Sequence, residues 1–223
     1  MVHRQLPLDV GSVSRSNRLA MNIETKTRCA RHIVCGQPSW RLASSEVEAF
    51  VTEMGGHLGP VTFDRSDRRL QPYSVAPWAE EENDPPLRPV TKALRGDFFC
   101  MPFGGNATPF RGERHPVHGE TANARWRFES LETREGRTSL HLSLKTKIRP
   151  GRVDKEISLL RGQNTLYCQH VVTGASGPMS LGHHAMSSSP IGRAADWCLR
   201  AVLCTPRSCH GLLNSRRNGA TRA

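Results

Sequence analysis

A strict alternation of apolar and polar residues between Leu140 and Ile148 constrains the fold of this chain more than any other feature. Every second position of this run is Leu, Thr or Ile, and the positions between them hold His, Ser or Lys. Because successive side chains of a strand point to opposite faces, the pattern predicts a half-buried β-strand with one polar face. The pair Pro150-Gly151 then marks a turn.

Several further runs of the same kind lie at short spacing along the chain. Runs 153–160 and 166–172 come after this strand, whereas 46–51 and 58–63 precede it and form a hairpin around Gly55-Gly56. Turns this short join antiparallel strands, since parallel strands need a crossover of about a dozen residues. No stretch ahead of the C-terminal region has the period of a convincing amphipathic helix. The sequence therefore predicts an all-β fold, an antiparallel β-sandwich.

Composition divides the chain into three parts. Residues 1–21 carry three Arg against one acid, and we interpret them as a disordered basic extension. Residues 22–186 hold the strand pattern, and we expect them to form one domain with its own core. From residue 187 the alternation stops, and 187–223 contains six Arg, three of the seven Cys, no Lys and one acid. We expect this tail not to belong to the fold.

Charge and cysteine content favour a cytoplasmic protein that binds neither nucleic acid nor membrane. Much of the net charge of +11 lies in the two ends of the chain. The part between them does not interleave basic and aromatic residues on one strand face, as proteins that bind single-stranded nucleic acid do. The seven cysteines are scattered without a Cys-x-x-Cys pair, which fits a reducing compartment. No run approaches the 18 or so apolar residues of a membrane span.

The stretch from Arg95 to Trp126 is the first candidate for chemistry. Its apolar beginning, 98–103, breaks at Gly104-Gly105-Asn106, and a second loop rich in Arg, His and Pro then leads to His118-Gly119. Long irregular loops between strands are uncommon in compact domains and often carry function. We therefore expect the functional site to include this loop.

Four histidines on loops flanked by predicted strands are candidates for acid–base chemistry: His115, His118, His183 and His184. Imidazole titrates near neutral pH and can transfer a proton with little tuning. Each histidine taken singly is better explained as an ordinary surface or packed residue. His118 and His184 are more informative as a pair, because both are expected at strand edges and could converge across a sheet. Their spacing matches no compact zinc signature, and we predict no metal.

The order of several short motifs carries a family resemblance. The motifs are Gly55-Gly56, Arg95-Gly96-Asp97, Pro102-Phe103-Gly104, His118-Gly119 with Trp126, and Leu181-Gly182-His183-His184. Together they resemble the galactose mutarotase-like (aldose 1-epimerase) superfamily over residues 45–186. The likeness depends on their order, spacing and strand context, since a His-Gly pair alone is common.

The resemblance implies a large β-sandwich whose concave sheet binds a sugar, either an aldose or a sugar phosphate, and a reaction that needs no cofactor. To interconvert anomers, a base removes the proton of the C1 hydroxyl while an acid protonates the ring oxygen, which opens the ring to an aldehyde. By similarity, His184 is the general acid and His118 hydrogen-bonds the sugar near its ring oxygen. Asn106, Arg125 and His183 are the remaining substrate-binding candidates.

Two departures from the family pattern bear on activity. Met186 stands where many members have an aromatic residue. The family's base is a Glu on a strand far downstream of the acid, yet Glu156 is the last Glu of this chain and Asp196 is the only later carboxylate. Either the chain is a catalytically incomplete relative, or its C-terminal part has been replaced, for instance by a shifted reading frame. We expect weak catalysis, and the alternative is a carbohydrate-binding or regulatory sandwich without catalysis.

Overall fold

Two antiparallel sheets make up most of the structure. The computed structural model describes residues 30–188, of which 48 % lie in strands or bridges and 6 % in helix. The prediction of an all-β antiparallel fold is confirmed. The expectations for residues 1–21 and for the tail beyond Ser188 fall outside the described residues.

The described part of the chain contains ten strands and two short helices. In chain order these are β1 (Arg31–Val34), β2 (Gln37–Ala43), β3 (Glu48–Thr52), β4 (Leu58–Thr62), α1 (Pro89–Lys92), β5 (Asp97–Cys100), α2 (Gly119–Asn123), β6 (Arg127–Arg134), β7 (Arg137–Thr146), β8 (Gly151–Leu160), β9 (Leu166–Thr173) and β10 (Gly182–Ala185). One sheet has the order β1-β2-β3-β4-β5-β10, and the other has the order β6-β7-β8-β9. Neither helix has the length or the apolar character needed to cross a membrane.

The second sheet is the meander that the alternating pattern predicts. Strands β7 and β8 pair over ten residues each without a register shift, from Arg137 opposite Leu160 to Thr146 opposite Gly151. In the first sheet, the predicted hairpin corresponds to β3 and β4, with a bulge between Ala49 and Val51. These elements form where the sequence predicts them because a period of two is a local signal.

One hydrophobic core lies between the two sheets. The alternate residues Leu140, Leu142 and Leu144 of β7 are buried in the same cluster as Trp40 and Leu42 of β2. Each fully buried Leu contributes roughly 1.5–3 kcal/mol relative to exposure in water. Phe99 and Met101 belong to this core, whereas Phe98 and Cys100 are buried in a separate cluster with Val90 and Ala122. Strand β5 is therefore buried on both faces.

Candidate functional site

Strands β5 and β10 place two histidines on opposite faces of the first sheet. His184 lies directly opposite Phe98 in the antiparallel register, and His183 lies opposite Phe99. Since side chains alternate along a strand, His183 and Phe99 face the second sheet while His184 and Phe98 face away from it. The doublet His183-His184 therefore contributes to two separate sites.

Three aromatic rings stack across neighbouring strands on the face that carries His184. The Phe98 ring lies 4.8 Å from the His184 ring at an interplanar angle of 12°, and 4.2 Å from the His57 ring at 11°. Neighbouring strands are about 4.7–4.9 Å apart, so rings in register stack at this spacing. Burial lowers the pKa of His57 to about 3, which keeps this ring neutral beneath the site.

His118 joins this stack from the candidate loop. Its ring lies 4.9 Å from the His184 ring at 72° and 5.6 Å from the Phe98 ring at 77°. The following residue, Gly119, bridges Met101 at the end of β5 with φ +76°, and a Cβ at Gly119 would lie 2.0 Å from the Met101 carbonyl oxygen. Only glycine fits this approach, so the His-Gly pair is what delivers His118 to the edge of the sheet.

Phe103 forms an aromatic wall beside the two histidines. Its ring centroid lies 5.9 Å from that of His118 and 6.3 Å from that of His184. The ring packs onto Gly182, where a Cβ would come within 2.6 Å of it. Even so, 46 % of Phe103 remains exposed. An exposed aromatic face next to two imidazoles can stack on the apolar side of a flat or ring-shaped ligand.

The two imidazoles present the same nitrogen to the surface. The Nδ1 atoms of His118 and His184 are buried without a hydrogen-bond partner, so Nε2 is the atom that each ring offers to a ligand. Burial, and then the proximity of His184, lower the pKa of His118. No carboxylate within residues 30–188 contributes to this shift. The neutral form of His118 is thereby favoured, and its Nε2 can accept a proton.

The other substrate-binding candidates do not join the pair. The Asn106 amide donates to the carbonyl oxygens of Thr108 and Glu113 at 3.0 and 2.7 Å, and its oxygen accepts from the His115 backbone N–H at 2.7 Å. Its polar atoms therefore hold the loop together. Arg125 is bound to Glu53 at 3.1 Å with 64 % of its side chain exposed. Neither residue hydrogen-bonds to His118 or His184.

His183 belongs to a cluster on the face of β10 that meets the second sheet. Its Nδ1 lies 2.7 Å from the Asp97 carboxylate, and its ring is 5.1 Å from that of His170. Lys155 is buried nearby, where its ammonium group donates to the Gly56 carbonyl oxygen and lies 5.1 Å above the Trp126 ring. His183 therefore lies on the opposite face of β10 from His184, with 38 % of its side chain exposed.

A small cavity also adjoins Phe103, but its two opposite charges, Glu113 and Arg149, are already paired with each other. Its volume is about 220 Å³, and its lining includes Phe103, Glu113, Arg149 and Met179. Arg149 donates two hydrogen bonds to the Glu113 carboxylate, at 3.0 and 2.7 Å. Hydrogen bonds from Arg149 and His115 lower the pKa of Glu113 to about 2. The histidine pair is therefore the stronger candidate site.

Sequence reasoning missed the rings that support the pair. His57 and Phe98 are absent from the predicted site, although the aromatic doublet Phe98-Phe99 and the doublet His183-His184 are a signal that could have identified Phe98. Two doublets on paired strands place one ring of each on either face. Using that signal required knowing that β5 pairs with β10, which are more than 80 residues apart in the chain.

Comparison with known proteins gives no further indication of the family or function of this chain. No protein-family model matches the sequence, and no curated protein is similar to it. Among residues 30–188, no group of three or more His, Cys, Asp or Glu side chains is arranged to hold a metal ion.

Proposed function

We propose that this chain is a galactose mutarotase-like protein that binds an aldose and interconverts its anomers weakly by acid–base ring opening. The observation that carries the proposal is the convergence of His118 and His184 beside Phe103. Their ring centroids are 4.9 Å apart, and each leaves Nε2 available at the surface. The order of motifs along residues 45–186 supports the same function.

The chemistry of the proposal requires only proton transfer and a surface for the sugar. His184, stacked on Phe98, is the general acid that protonates the ring oxygen as the bond between it and C1 breaks. Phe103 packs against the C–H face of the pyranose ring, which is apolar because the hydroxyl groups point outward. A reducing, cytoplasmic setting belongs to the same proposal, in keeping with the free thiols of Cys35, Cys100 and Cys168.

The carboxylates nearest in the chain are engaged elsewhere, which is why weak activity is expected. Asp97 binds His183 on the opposite face, and Glu113 binds Arg149. Glu120, which follows Gly119, accepts hydrogen bonds from the backbone N–H groups of Lys147 and Ile148. A well-placed acid or base contributes about 10²–10⁴-fold to a rate. The absence of a carboxylate base beside the pair in residues 30–188 is therefore a large handicap.

The direct test is polarimetry of fresh α-glucose and α-galactose with the full chain. We expect an enzyme-dependent rate that His184→Ala abolishes, because the acid is then lost. His32→Ala is the matched control, since His32 is an exposed histidine on β1 and should leave the rate unchanged. A wild-type rate that survives His184→Ala would contradict the proposed role of this residue.

A sugar-binding protein without catalysis is the second candidate, favoured by the missing carboxylate. Titration of ¹⁵N-labelled protein with galactose separates the two. Shifts confined to the neighbourhood of Phe103 and His184, without any acceleration of anomerisation, would support binding alone. No shifts and no acceleration would overturn both.

A further inference from the structure

We infer that His118 and His184 together form a complete acid–base pair, with His118 as the general base and His184 as the general acid. The inference rests on the proposed function and assigns the missing base to a residue of the described domain. It replaces a carboxylate on a distant strand with an imidazole that is already at the site. The pair would then be the source of the activity of this chain.

The geometry suits a reaction at a single carbon. In a cyclic aldose, the hydroxyl oxygen and the ring oxygen that exchange protons are both bonded to C1. Proton transfer requires hydrogen bonds of about 2.6–3.2 Å between each oxygen and its catalytic group. Two rings with centroids 4.9 Å apart at 72°, both with Nδ1 buried, can direct their Nε2 atoms to these two oxygens at once.

The surroundings of His118 favour its role as the base. Burial and the proximity of His184 lower the pKa of His118, which favours the neutral, proton-accepting form. His184 lies flat on Phe98, with ring centroids 4.8 Å apart, and this stacking fixes the orientation of its ring. Two positive charges this close repel each other, which disfavours protonation of both rings at once.

Two further titratable groups packed on this face stay neutral. Burial lowers the pKa of His57 to about 3 and raises the pKa of Cys100 to about 12. Both lie in or against the cluster around Phe98. The positive charges of Lys155 and Arg95 also act on His57 and contribute to the lowering of its pKa.

The proton balance closes within the pair. Nε2 of His118 takes the proton of the C1 hydroxyl, C1 forms its carbonyl bond, and the bond from C1 to the ring oxygen breaks with both electrons going to that oxygen. The ring oxygen receives the proton from Nε2 of His184. His118 is now protonated and His184 is neutral, and ring closure on either face of the aldehyde reverses both transfers. No other reactant is consumed.

The pH dependence of kcat/KM for anomerisation tests the inference. Wild type should give a bell-shaped profile, because the base must be neutral and the acid protonated, and its two pKa values belong to the pair. His118→Gln should remove the low-pH limb and lower the maximal rate about 10²-fold or more. His184→Gln should remove the high-pH limb, whereas His32→Gln should leave the profile unchanged.

An imidazole ¹⁵N NMR titration of the free protein gives a readout that does not depend on activity. His184→Gln should raise the pKa of His118, because one of the two causes of its lowering is removed. A pKa of His118 that stays unchanged in His184→Gln would overturn the inference. So would anomerisation by His118→Gln that keeps its low-pH limb. Those outcomes leave the proposed function standing, whereas wild type that neither binds nor accelerates the sugar overturns the function and the inference together.

Discussion

At the scale of single residues, Arg95 shows how backbone carbonyl groups can satisfy a buried charge. Arg95 is fully buried, and its guanidinium donates to the carbonyl oxygens of Val34, Cys35 and Ala93 at 2.7, 2.8 and 3.1 Å. Burial lowers the pKa of this group, yet three carbonyl acceptors compensate for the lost water. Arg95 thereby fastens the β1–β2 turn to the strand that carries the site.

His57 makes folding stability depend on pH. Its pKa falls from 6.5 to about 3 on folding because of burial. Between those two pH values His57 is protonated in the unfolded chain and neutral in the folded chain. Its contribution to the free energy of unfolding is therefore complete above pH 6.5 and is lost as the pH falls towards 3. The free energy of unfolding changes by at most about 1.4 kcal/mol per pH unit from this one group. We expect His57→Phe, which keeps a ring against Phe98, to reduce the loss of stability between pH 7 and 4.

Urea unfolding at several pH values measures this effect. The control is His32→Phe, which changes an exposed histidine and should leave the slope as it is in wild type. His170, which is half-buried on β9 and whose pKa is also lowered by loss of solvent, will keep part of the pH dependence in every variant. Parallel curves of unfolding free energy against pH for wild type and His57→Phe would show that burial does not keep His57 unprotonated in the folded state.

At the scale of elements, the sequence predicts those that form locally. The β7–β8–β9 meander and the β3–β4 hairpin follow from alternation and turn residues alone. Strand β5 is buried at all four positions and so shows no alternation, and β10 is only four residues long. Neither gives a periodic signal, and their pairing joins distant parts of the chain.

The residues of the candidate site also divide into those that local sequence patterns identify and those that long-range pairing places. His118 and His184 could be chosen as a pair from residue type and position, and the structure brings them together. The placement of His183 on the opposite face depends on a register that local patterns do not determine. The structural role of Asn106 depends on three hydrogen bonds within an irregular loop. Such contacts have no periodic signature in the sequence.

Helix α2 begins at Gly119, directly after His118, and its position depends on this glycine. We expect Gly119→Ala to cost about 2–4 kcal/mol of unfolding free energy, because its Cβ would meet the Met101 carbonyl oxygen at 2.0 Å and φ is +76°. The start of α2 must then move, and His118 with it. Urea unfolding gives the stability, and the imidazole signals of His118 report the displacement.

A matched substitution separates the clash from the backbone conformation. Gly162 has φ +73°, and a Cβ there would have nothing within 4 Å. Gly162→Ala should therefore cost only about 1 kcal/mol, the conformational part alone. Equal losses of unfolding free energy at the two positions would mean that the structure accommodates a Cβ beside Met101 at no additional cost.

At the scale of the whole molecule, the two sheets differ in continuity. Strands β7 and β8 of the second sheet pair along their full length. In the first sheet, the β4–β5 pairing has a single registered pair, Leu58 with Asp97, and β10 adds four pairs at the edge. The candidate site is thus built on the less continuous sheet, where binding can order the structure most.

Native-state amide exchange should show this difference directly. We expect the paired amides of β7 and β8 to exchange only by global unfolding, whereas those of β5 and β10 exchange faster through local opening. A sugar bound at His118 and His184 should slow exchange in β5 and β10. Binding at 100 times the Kd stabilises the bound form by about 2.7 kcal/mol, which corresponds to a roughly 100-fold slower opening. Because β7 and β8 are expected to open only with the whole domain, a sugar that slowed their exchange while leaving β5 and β10 unchanged would place its binding site elsewhere on the molecule.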